Sequence, residues 1–185
     1  MNRFIVVSGL PACGKSTVAR ALATSLELPL LDKDLFLEAS FETTPVLEAQ
    51  MRRELSLRAD GEFQEQASGA AGAVLASWWR HPHSLANSGT SIGWLASLPG
   101  IHVEVHCNCS PAVAVERFVS RKRHHGHLDS RWSKPELLAS FEQQASFGPL
   151  GFGCVIEVDT ESALDLAALA RTINQIFTQL SDRAM

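Results

Sequence analysis

One segment, residues 9–17, restricts the possible folds of this chain more than any other part of the sequence. It reads Gly-Leu-Pro-Ala-Cys-Gly-Lys-Ser-Thr, which matches the phosphate-binding pattern of two glycines five positions apart followed by Lys and then Ser or Thr. The apolar, mostly β-branched run at residues 4–7 predicts a buried strand before it. The spacing of Val18, Leu22 and Leu26 predicts an apolar helix face after it. Strand, glycine-rich loop and helix together are typical of a site where backbone N–H groups surround a phosphate.

The residue types in this loop suit a phosphate ligand. Gly9 and Gly14 permit backbone conformations that other residues rarely adopt, and the following helix N-terminus carries a partial positive charge. We predict that Lys15 reaches the outer phosphates of a nucleotide and that the Ser16 hydroxyl holds Mg²⁺. The predicted nucleotide-binding residues of the loop are Gly9, Leu10, Pro11, Ala12, Cys13, Gly14, Lys15, Ser16 and Thr17. The alternative is an ordinary strand-to-helix turn with a surface lysine.

Composition limits the class of protein and its partners. The 185 residues, 45% of them hydrophobic, suit a single domain spanning 1–185, and the net charge of −4 gives no indication of a nucleic-acid surface. No apolar run approaches the ~20 residues that cross a bilayer, and the first predicted strand leaves no room for a signal peptide, so we expect a cytoplasmic protein without membrane contact. The four cysteines are predicted to be buried thiols rather than disulfides or zinc ligands: Cys13, Cys107, Cys109 and Cys154.

A pair of acids, Asp32 and Asp34, follows the short apolar strand predicted at residues 30–31. Ligands of open parallel α/β sheets bind beyond the carboxyl ends of the strands, so both acids are predicted to lie at the same site as the phosphate loop. Acids at that place can serve Mg²⁺ and act as a general base. In the alternative interpretation, Asp34 is only the N-cap of a helix predicted at residues 35–40.

The third predicted strand, residues 73–79, ends in a Trp-Trp pair. Many phosphate-loop enzymes carry an Mg²⁺-associated acid at the end of this strand, but Ser77 stands there in this chain. This difference moves the predicted metal role to Asp32. Trp78 and Trp79 either fill the core or form the wall of a substrate pocket, and the sequence favours neither.

Two further segments are less regular. Residues 45–71 are predicted to be helical with a break at residues 60–61, and the segment carries Arg52, Arg53 and Arg58, any of which is more often a solvated residue than a substrate contact. Residues 101–109 alternate apolar and polar side chains, which predicts a strand with one polar face. Such a face is unexpected in a parallel sheet that helices cover on both sides.

Basic residues are concentrated in a predicted helix that begins at Pro111 and in the turn that follows it. Arg117 and Arg121 are four positions apart, so we predict that they share a helix face and contact a nucleotide, a solvated basic face being the alternative. The segment 122–135 contains three histidines and Gly126 and is predicted to be a mobile lid rather than a metal site. A helix at 135–146, a last strand at 154–160 and an amphipathic helix at 164–180 complete the prediction.

Four features, taken in order, resemble the P-loop kinases of the nucleoside-monophosphate-kinase fold. They are the phosphate loop, Asp32-Lys33-Asp34 with Glu38-Ala39, the arginines 117, 121 and 123, and Val158-Asp159-Thr160 on the last strand. The chain most resembles the chloramphenicol phosphotransferase-like and zeta-toxin-like ATPases, and less closely shikimate and gluconate kinases. The resemblance covers most of the chain and implies a three-layer α/β/α fold with a five-stranded parallel sheet, ATP and Mg²⁺ as cofactors, and a hydroxyl group as acceptor.

The resemblance also implies a role for each matching residue. Asp34 matches the acid that takes the proton of the acceptor hydroxyl, and Asp32 matches an acid that serves Mg²⁺ together with Ser16. Arg117 matches the arginine that lies against adenine, and Arg121 matches one that contacts phosphates. The catalytic residues predicted in this way are Asp34, Lys15 and Arg121. Ser77 and the histidine-rich lid depart from the family pattern.

The sequence therefore predicts an ATP-dependent phosphotransferase that acts on a hydroxyl of a small molecule. A nucleoside or nucleotide kinase is one alternative, expected if the acceptor pocket holds paired arginines and an aromatic ring that stacks on a base. A nucleotide-dependent switch or binding protein with slow ATP hydrolysis is another, expected if no acceptor raises turnover. The acceptor, the choice between ATP and GTP, and the oligomeric state are not determined by the sequence.

Overall fold

The chain alternates strands and helices in a computed structural model that describes residues 1–46 and 48–183. Leu47, in the predicted helical segment 45–71, lies outside the described residues, as do residues 184 and 185 of the predicted domain. The strands are β1 (Arg3–Gly9), β2 (Leu30–Asp32), β3 (Gly72–Ala76), β4 (Ile101–Asn108) and β5 (Cys154–Asp159). The helices are α1 (Lys15–Leu26), α2 (Lys33–Thr43), α3 (Ala49–Gly69), α4 (Pro111–Ser120), α5 (Lys134–Ala145) and α6 (Leu166–Arg183).

The five strands form one parallel sheet in the order β2-β3-β1-β4-β5. This confirms the predicted fold class. The register pairs Gly9 with Cys107 and Asp32 with Ala76, so the carboxyl ends of four strands meet at one edge of the sheet. Because β1 is the central strand, the phosphate loop that follows it begins in the middle of that edge. This is the place where ligands of open parallel sheets bind.

Helices cover both faces of the sheet. Along β1, Ile5 and Val7 belong to one buried cluster with Leu22 of α1 and other residues of α4, α5 and α6. Phe4 and Val6 belong to a second buried cluster, which includes Phe63 of α3 and a turn near residue 95. Successive side chains of a strand point to opposite faces, so a strand covered on both sides must be apolar throughout. This accounts for the uninterrupted apolar run before the phosphate loop.

Three predicted boundaries were wrong. The predicted helical segment 45–71 does not break at Asp60-Gly61, because Ala59 and Phe63 are buried on either side and their packing outweighs the roughly 1 kcal/mol cost of a helical glycine. The third strand ends at Ala76, before the tryptophans. Helix α4 ends at Ser120, so Arg121 has extended backbone and does not continue the helix face of Arg117.

The polar face of β4 has a structural explanation that the sequence did not provide. Glu104 is fully buried, and its carboxylate accepts hydrogen bonds from the backbone N–H groups of Leu150 (2.8 Å) and Phe152 (3.0 Å). The connection between α5 and β5, rather than a helix, covers this part of the sheet. Because a non-helical segment has unpaired backbone N–H groups, it requires an acceptor on the strand below it.

The cysteine prediction was correct for two of the four residues. Cys13 and Cys107 are buried, whereas Cys109 is half-buried and Cys154 is exposed on the edge strand β5. All four are free thiols. Over the described ranges, no helix combines the length and the apolar character needed to cross a bilayer.

Candidate active site

The phosphate loop has the compact backbone that its glycines predicted. Gly9 has φ = +124° and Gly14 has φ = +95°, both in a region that side chains disfavour. A Cβ atom on Gly9 would lie 2.3 Å from the carbonyl oxygen of Cys107, so β4 leaves no room for a side chain there. Ala12 also has positive φ, at +62°. The loop is therefore held tightly against β4 at its first residue.

Lys15, the first residue of α1, folds back over the loop. Its Nζ donates hydrogen bonds to the carbonyl oxygens of Gly9 (3.0 Å) and Leu10 (2.5 Å), and the side chain is largely buried. These two carbonyls fix the ammonium group above the loop, where it provides a preorganised positive charge. The position agrees with the predicted role of Lys15 at the outer phosphates, which stays a prediction.

Ser16 and Asp32 meet as the sequence led us to expect. The Ser16 hydroxyl donates to Asp32 Oδ2 (2.9 Å), and Asp32 Oδ1 accepts from the backbone N–H of Asp34 (3.1 Å). Asp32 is therefore the N-cap of α2, which excludes the alternative interpretation of Asp34 as that cap. Burial, together with the negative charge of Asp34, raises the pKa of Asp32. A hydroxyl and a carboxylate side by side are the oxygen donors that Mg²⁺ prefers, so these two residues fit the predicted metal site.

The Asp34 carboxylate lies in the same cleft and is 48% exposed. Arg123 Nη2 donates to Asp34 Oδ2 at 2.5 Å, a contact that sequence reasoning did not predict. Burial among protein atoms opposes ionisation of Asp34, but the charges of Arg123, His127 and Lys33 outweigh it, and the pKa of Asp34 is lowered. Asp34 is thus an ionised carboxylate that can accept a hydrogen bond or a proton.

Of the three predicted lid arginines, Arg121 and Arg123 share Asp129 as a partner, whereas Arg117 contacts a different segment. Arg117 Nη2 donates to the carbonyl oxygen of Thr160 (2.8 Å), and Thr160 lies beside Gly14 of the phosphate loop. Arg121 stacks on the ring of Phe118 (4.1 Å to the centroid), donates to Asp129 (3.1 Å), and keeps a buried Nε without a hydrogen-bond partner among the described residues. Both Arg117 and Arg121 line the cleft, although they do so from different backbone segments.

The histidine-rich turn of the lid packs against α2. His127 Nε2 is 2.8 Å from Glu38 Oε1, and the ring of His124 stacks on Phe41 with centroids 5.1 Å apart. A Cβ on Gly126 would lie 2.7 Å from the Phe41 ring, so only glycine allows this approach. Within the described ranges no group of three His, Cys, Asp or Glu residues is arranged to hold a metal ion. The lid segment 122–135 contains two short 3₁₀ helices, and its mobility stays a prediction.

The cleft has a volume of about 1090 Å³ and extends well beyond the phosphate loop. We call the part lined by Asp34, Arg52, Trp78 and Gln144 the acceptor half. Trp78 is 39% exposed, and its Nε1 donates to Gln144 Oε1 (2.8 Å), whereas Trp79 is buried and donates to the carbonyl oxygen of Val7 (2.9 Å). One tryptophan thus forms a wall and the other belongs to the core.

Sequence reasoning found only part of the acceptor half. Of the three arginines on α3, Arg52 lines the cleft, and its buried Nε has no hydrogen-bond partner within residues 1–46 and 48–183. Arg53 and Arg58 are exposed elsewhere. Gln144 was missed, because a glutamine near the end of an amphipathic helix carries no distinguishing signal. Ser77 hydrogen-bonds Thr90 (2.6 Å) rather than standing in for the missing acid.

A parallel sheet in this strand order, with a phosphate loop after its central strand, defines the fold of the P-loop kinases. No protein-family model matches the chain, and no curated protein matches it by sequence. The comparison with solved structures does find similar proteins.

Many solved structures share the fold. A protein from Chloroflexus aurantiacus J-10-fl described as a "putative kinase" superposes with a TM-score of 0.78 at 27% identity, covering 94% of this chain and 97% of its own. A gluconokinase from Sinorhizobium meliloti 1021 (TM-score 0.58, 19% identity, 99% and 98% covered) and a shikimate kinase from Bacteroides thetaiotaomicron (0.57, 18%, 97% and 98%) are more distant. The fold is that of the P-loop kinases, and the structural neighbours named here are described as kinases.

Proposed function

We propose that this protein is an ATP-dependent phosphotransferase that moves the γ-phosphoryl group of ATP to a hydroxyl of a small molecule. The observation that carries the proposal is the ionised carboxylate of Asp34, which lies in the same cleft as the phosphate loop and Lys15. Phosphoryl transfer to an alcohol needs a site for the triphosphate and a group that takes the hydroxyl proton. The cleft offers both.

In the proposed reaction the acceptor hydroxyl binds against Asp34. Its oxygen forms a bond to the γ-phosphorus, the bond from the γ-phosphorus to the bridging oxygen breaks, and ADP leaves with that electron pair. Asp34 takes the hydroxyl proton. A carboxylate with a lowered pKa is a weak base, but a loose phosphoryl transition state demands little base strength, because the new bond from the acceptor oxygen to phosphorus is still weak there.

Positive groups around the cleft support the same reaction. Lys15 is held over the loop carbonyls, and Arg121 and Arg117 approach from the lid side. In our proposal Lys15 and Arg121 offset the charge on the transferring phosphoryl group, and Arg117, anchored at Thr160 beside the loop, contacts the nucleotide. Ser16 and Asp32 would hold Mg²⁺, which supplies further neutralisation of phosphate charge when it is bound.

A nucleoside or nucleotide kinase is the second candidate, because the acceptor half contains the groups that we expected of one. Arg52 and Arg123 are paired arginines that line it, and Trp78 offers a partly exposed aromatic ring. Arginines bind phosphate through paired N–H groups, and an indole face stacks on a base. The same groups suit a carboxylated or sugar-like acceptor, so the two candidates are separated by the compounds that react.

The experiment is a screen for acceptor-dependent ADP release with ATP and Mg²⁺. The compounds are sugars, polyols, gluconate, shikimate, nucleosides, nucleoside monophosphates, and phenicol and aminoglycoside antibiotics, the phenicols because of the resemblance to chloramphenicol phosphotransferases. Lys15→Ala removes the loop's own cation and is expected to lower turnover by roughly 10²-fold.

Lys134→Ala is the matched control for the lysine substitution. Lys134 is exposed at the start of α5, where it pairs with Glu116 (2.7 Å) outside the cleft, so its loss should leave turnover unchanged. If no compound raised ADP release above hydrolysis by water, the switch alternative would replace the kinase proposal. Unchanged ATP turnover in Lys15→Ala would exclude the phosphate loop as the nucleotide site.

A further inference from the structure

Three polar side chains lie in a row beneath the start of the phosphate loop and have no part in the proposed reaction. Ser8 Oγ is 2.5 Å from Glu104 Oε1 and 2.8 Å from His106 Nδ1. Ser8 is the residue before Gly9, and the sheet register places it beside His106. All three residues are buried, and both Ser8 and His106 line the cleft at their outer edges.

The hydrogen-bond pattern around Glu104 fixes the direction of each bond. Glu104 Oε1 accepts from the N–H of Leu150 and Oε2 accepts from the N–H of Phe152, and both of these groups can only donate. Both oxygens of Glu104 thus act as acceptors, and Oε1 accepts from the Ser8 hydroxyl as well. The Ser8 hydroxyl has a single proton, and it uses this proton to donate a hydrogen bond to Glu104.

The tautomer of His106 follows from this assignment. Because the Ser8 proton points to Glu104, the Ser8 oxygen can only accept from His106, and Nδ1 must carry the ring proton. Burial lowers the pKa of His106 despite the opposing charges of Glu104 and Glu157, so the ring is neutral. The other ring nitrogen, Nε2, therefore carries a lone pair. The described residues supply no hydrogen-bond donor for it.

The position of the ring limits what can meet this nitrogen. Ser8 and Glu104 cover the Nδ1 edge, so the Nε2 edge is the part of His106 left to contact the cleft. The positive charge of Lys15 acts on the ring, and His106 lines the cleft together with His81, which places it between the phosphate loop and the acceptor half. His81 donates its own Nε2 proton to the carbonyl oxygen of Pro149 (3.0 Å) and accepts at Nδ1 from the N–H of His83 (3.1 Å), so it is satisfied.

We propose that His106 Nε2 is a specificity-determining hydrogen-bond acceptor for the substrate of the acceptor half, and that this substrate carries a second donor, either hydroxyl or N–H, besides the hydroxyl that is phosphorylated. The substrate class is thus a polyol or an amino alcohol rather than a monohydric alcohol. The inference rests on the proposed function for its ligand, but the tautomer of His106 does not depend on that function. A ligand that covers this acceptor without supplying a donor removes its access to water, which disfavours molecules that cannot donate a hydrogen bond there.

The first test is nitrogen NMR of the full chain labelled at its imidazoles, with the His106 signals assigned by their loss in His106→Gln. Nδ1 is expected to be protonated and Nε2 unprotonated near pH 7.5. Ser8→Ala removes the acceptor for the Nδ1 proton and should abolish this preference. A protonated Nε2 in the wild-type protein would mean that the bonds run in the opposite direction and would overturn the proposal.

The second test locates the ligand. Adding a non-hydrolysable ATP analogue with Mg²⁺ should leave the Nε2 resonance in place, whereas the compound from the screen that raises ADP release should shift it. A shift with the analogue alone would assign Nε2 to the nucleotide and overturn the substrate assignment. An active compound that leaves Nε2 unshifted would also overturn it. Simple monohydric alcohols are assayed beside the compounds of the screen, and turnover of one of them would overturn it too.

The third test is kinetic. His106→Phe keeps a ring but removes the acceptor, so KM for the active compound should rise about three- to tenfold with a smaller change in kcat, the effect of one hydrogen bond. His102→Phe is the matched control: it lies on the same strand face, stacks on Phe4 (5.9 Å), and is remote from the cleft, so both constants should be unchanged. An unchanged KM in His106→Phe would overturn the proposal. If no compound is active, the proposed function fails and the ligand assignment fails with it, while the NMR result still decides the tautomer.

Discussion

Replacing Asp34 by asparagine separates chemistry from structure in this cleft. The substitution keeps the size of the side chain and its ability to accept a hydrogen bond, but an amide cannot take a proton from a hydroxyl. The cap of α2 is unaffected, because Asp32 and not Asp34 provides it. Arg123 loses the negative charge of its partner at position 34 but keeps that of Asp129, whose carboxylate lies 3.5 Å from its Nη1.

The structure predicts that Asp34→Asn has a large effect on the rate of phosphate transfer and a small effect on the free energy of unfolding. Loss of a general base lowers the rate of transfer by roughly 10²–10⁴-fold, which corresponds to about 3–5 kcal/mol of activation free energy. The Asp34 side chain is 48% exposed, so solvent screens its ion pair with Arg123, and such pairs contribute about 0.2–1 kcal/mol to the free energy of unfolding. Asp34→Asn should therefore be nearly as stable as the wild type and almost inactive toward the acceptor.

The assay measures phosphate transfer to the compound found by the screen, ATP affinity by calorimetry, and the free energy of unfolding in urea. Glu42→Gln is the matched control. It removes one carboxylate charge two turns further along α2, where the exposed Glu42 does not line the cleft, and should change transfer by no more than about threefold. If Asp34→Asn transferred phosphate at the wild-type rate, or if both variants lost activity equally, Asp34 would not be the base.

Three further outcomes are expected. Arg121→Ala should lower kcat more than ATP affinity, since phosphate charge builds up during transfer, whereas Arg117→Ala should chiefly weaken nucleotide binding. Calorimetry and steady-state kinetics of the two variants check this, and wild-type behaviour of both would contradict the proposed roles of these arginines. Glu104→Gln places an amide N–H₂ against a backbone N–H, so it should lower the free energy of unfolding in urea by about 1–3 kcal/mol. An unchanged value would mean that other contacts hold the connection between α5 and β5. Burial and the charge of Arg123 lower the pKa of His127 below its unfolded value of about 6.5, so the unfolded chain binds a proton more readily than the folded one. The contribution of His127 to the free energy of unfolding is therefore complete above that pH and decreases as the pH falls through it. His127→Gln should reduce the loss of stability that urea unfolding measures between about pH 7.5 and 6.

The sequence alone was sufficient for the sheet and for the arrangement of the phosphate loop with Ser16 and Asp32. An uninterrupted apolar strand, a glycine-rich loop and a four-residue apolar period are local patterns, and β1, the loop and α1 follow from them directly. Asp32 was placed beside Ser16 because parallel strands bring their carboxyl ends to one edge. Each of these inferences uses neighbours along the chain or a rule of topology that holds for every such sheet.

The acceptor half depended on contacts between residues far apart in the sequence. Arg123 reaches Asp34 across 89 positions, and Trp78 reaches Gln144 across 66. Charged and amide side chains are common on exposed helices and loops throughout the chain. Neither their residue type nor their local pattern distinguishes the few that line the cleft. Only the packing of the lid against α2, and of α5 beside the end of β3, selects among them.

The buried row of Ser8, Glu104 and His106 shows the physical reason most directly. Alternation along β4 predicted that Glu104 and His106 share a face, but not whether solvent, a helix or a loop covers it. Each buried backbone donor of the covering segment costs free energy unless it is paired. That segment is the connection between α5 and β5, more than 40 residues away in sequence. Local pattern determined which residues are polar; the tertiary structure determined which donors they accept from, and hence which nitrogen of His106 is left for a ligand.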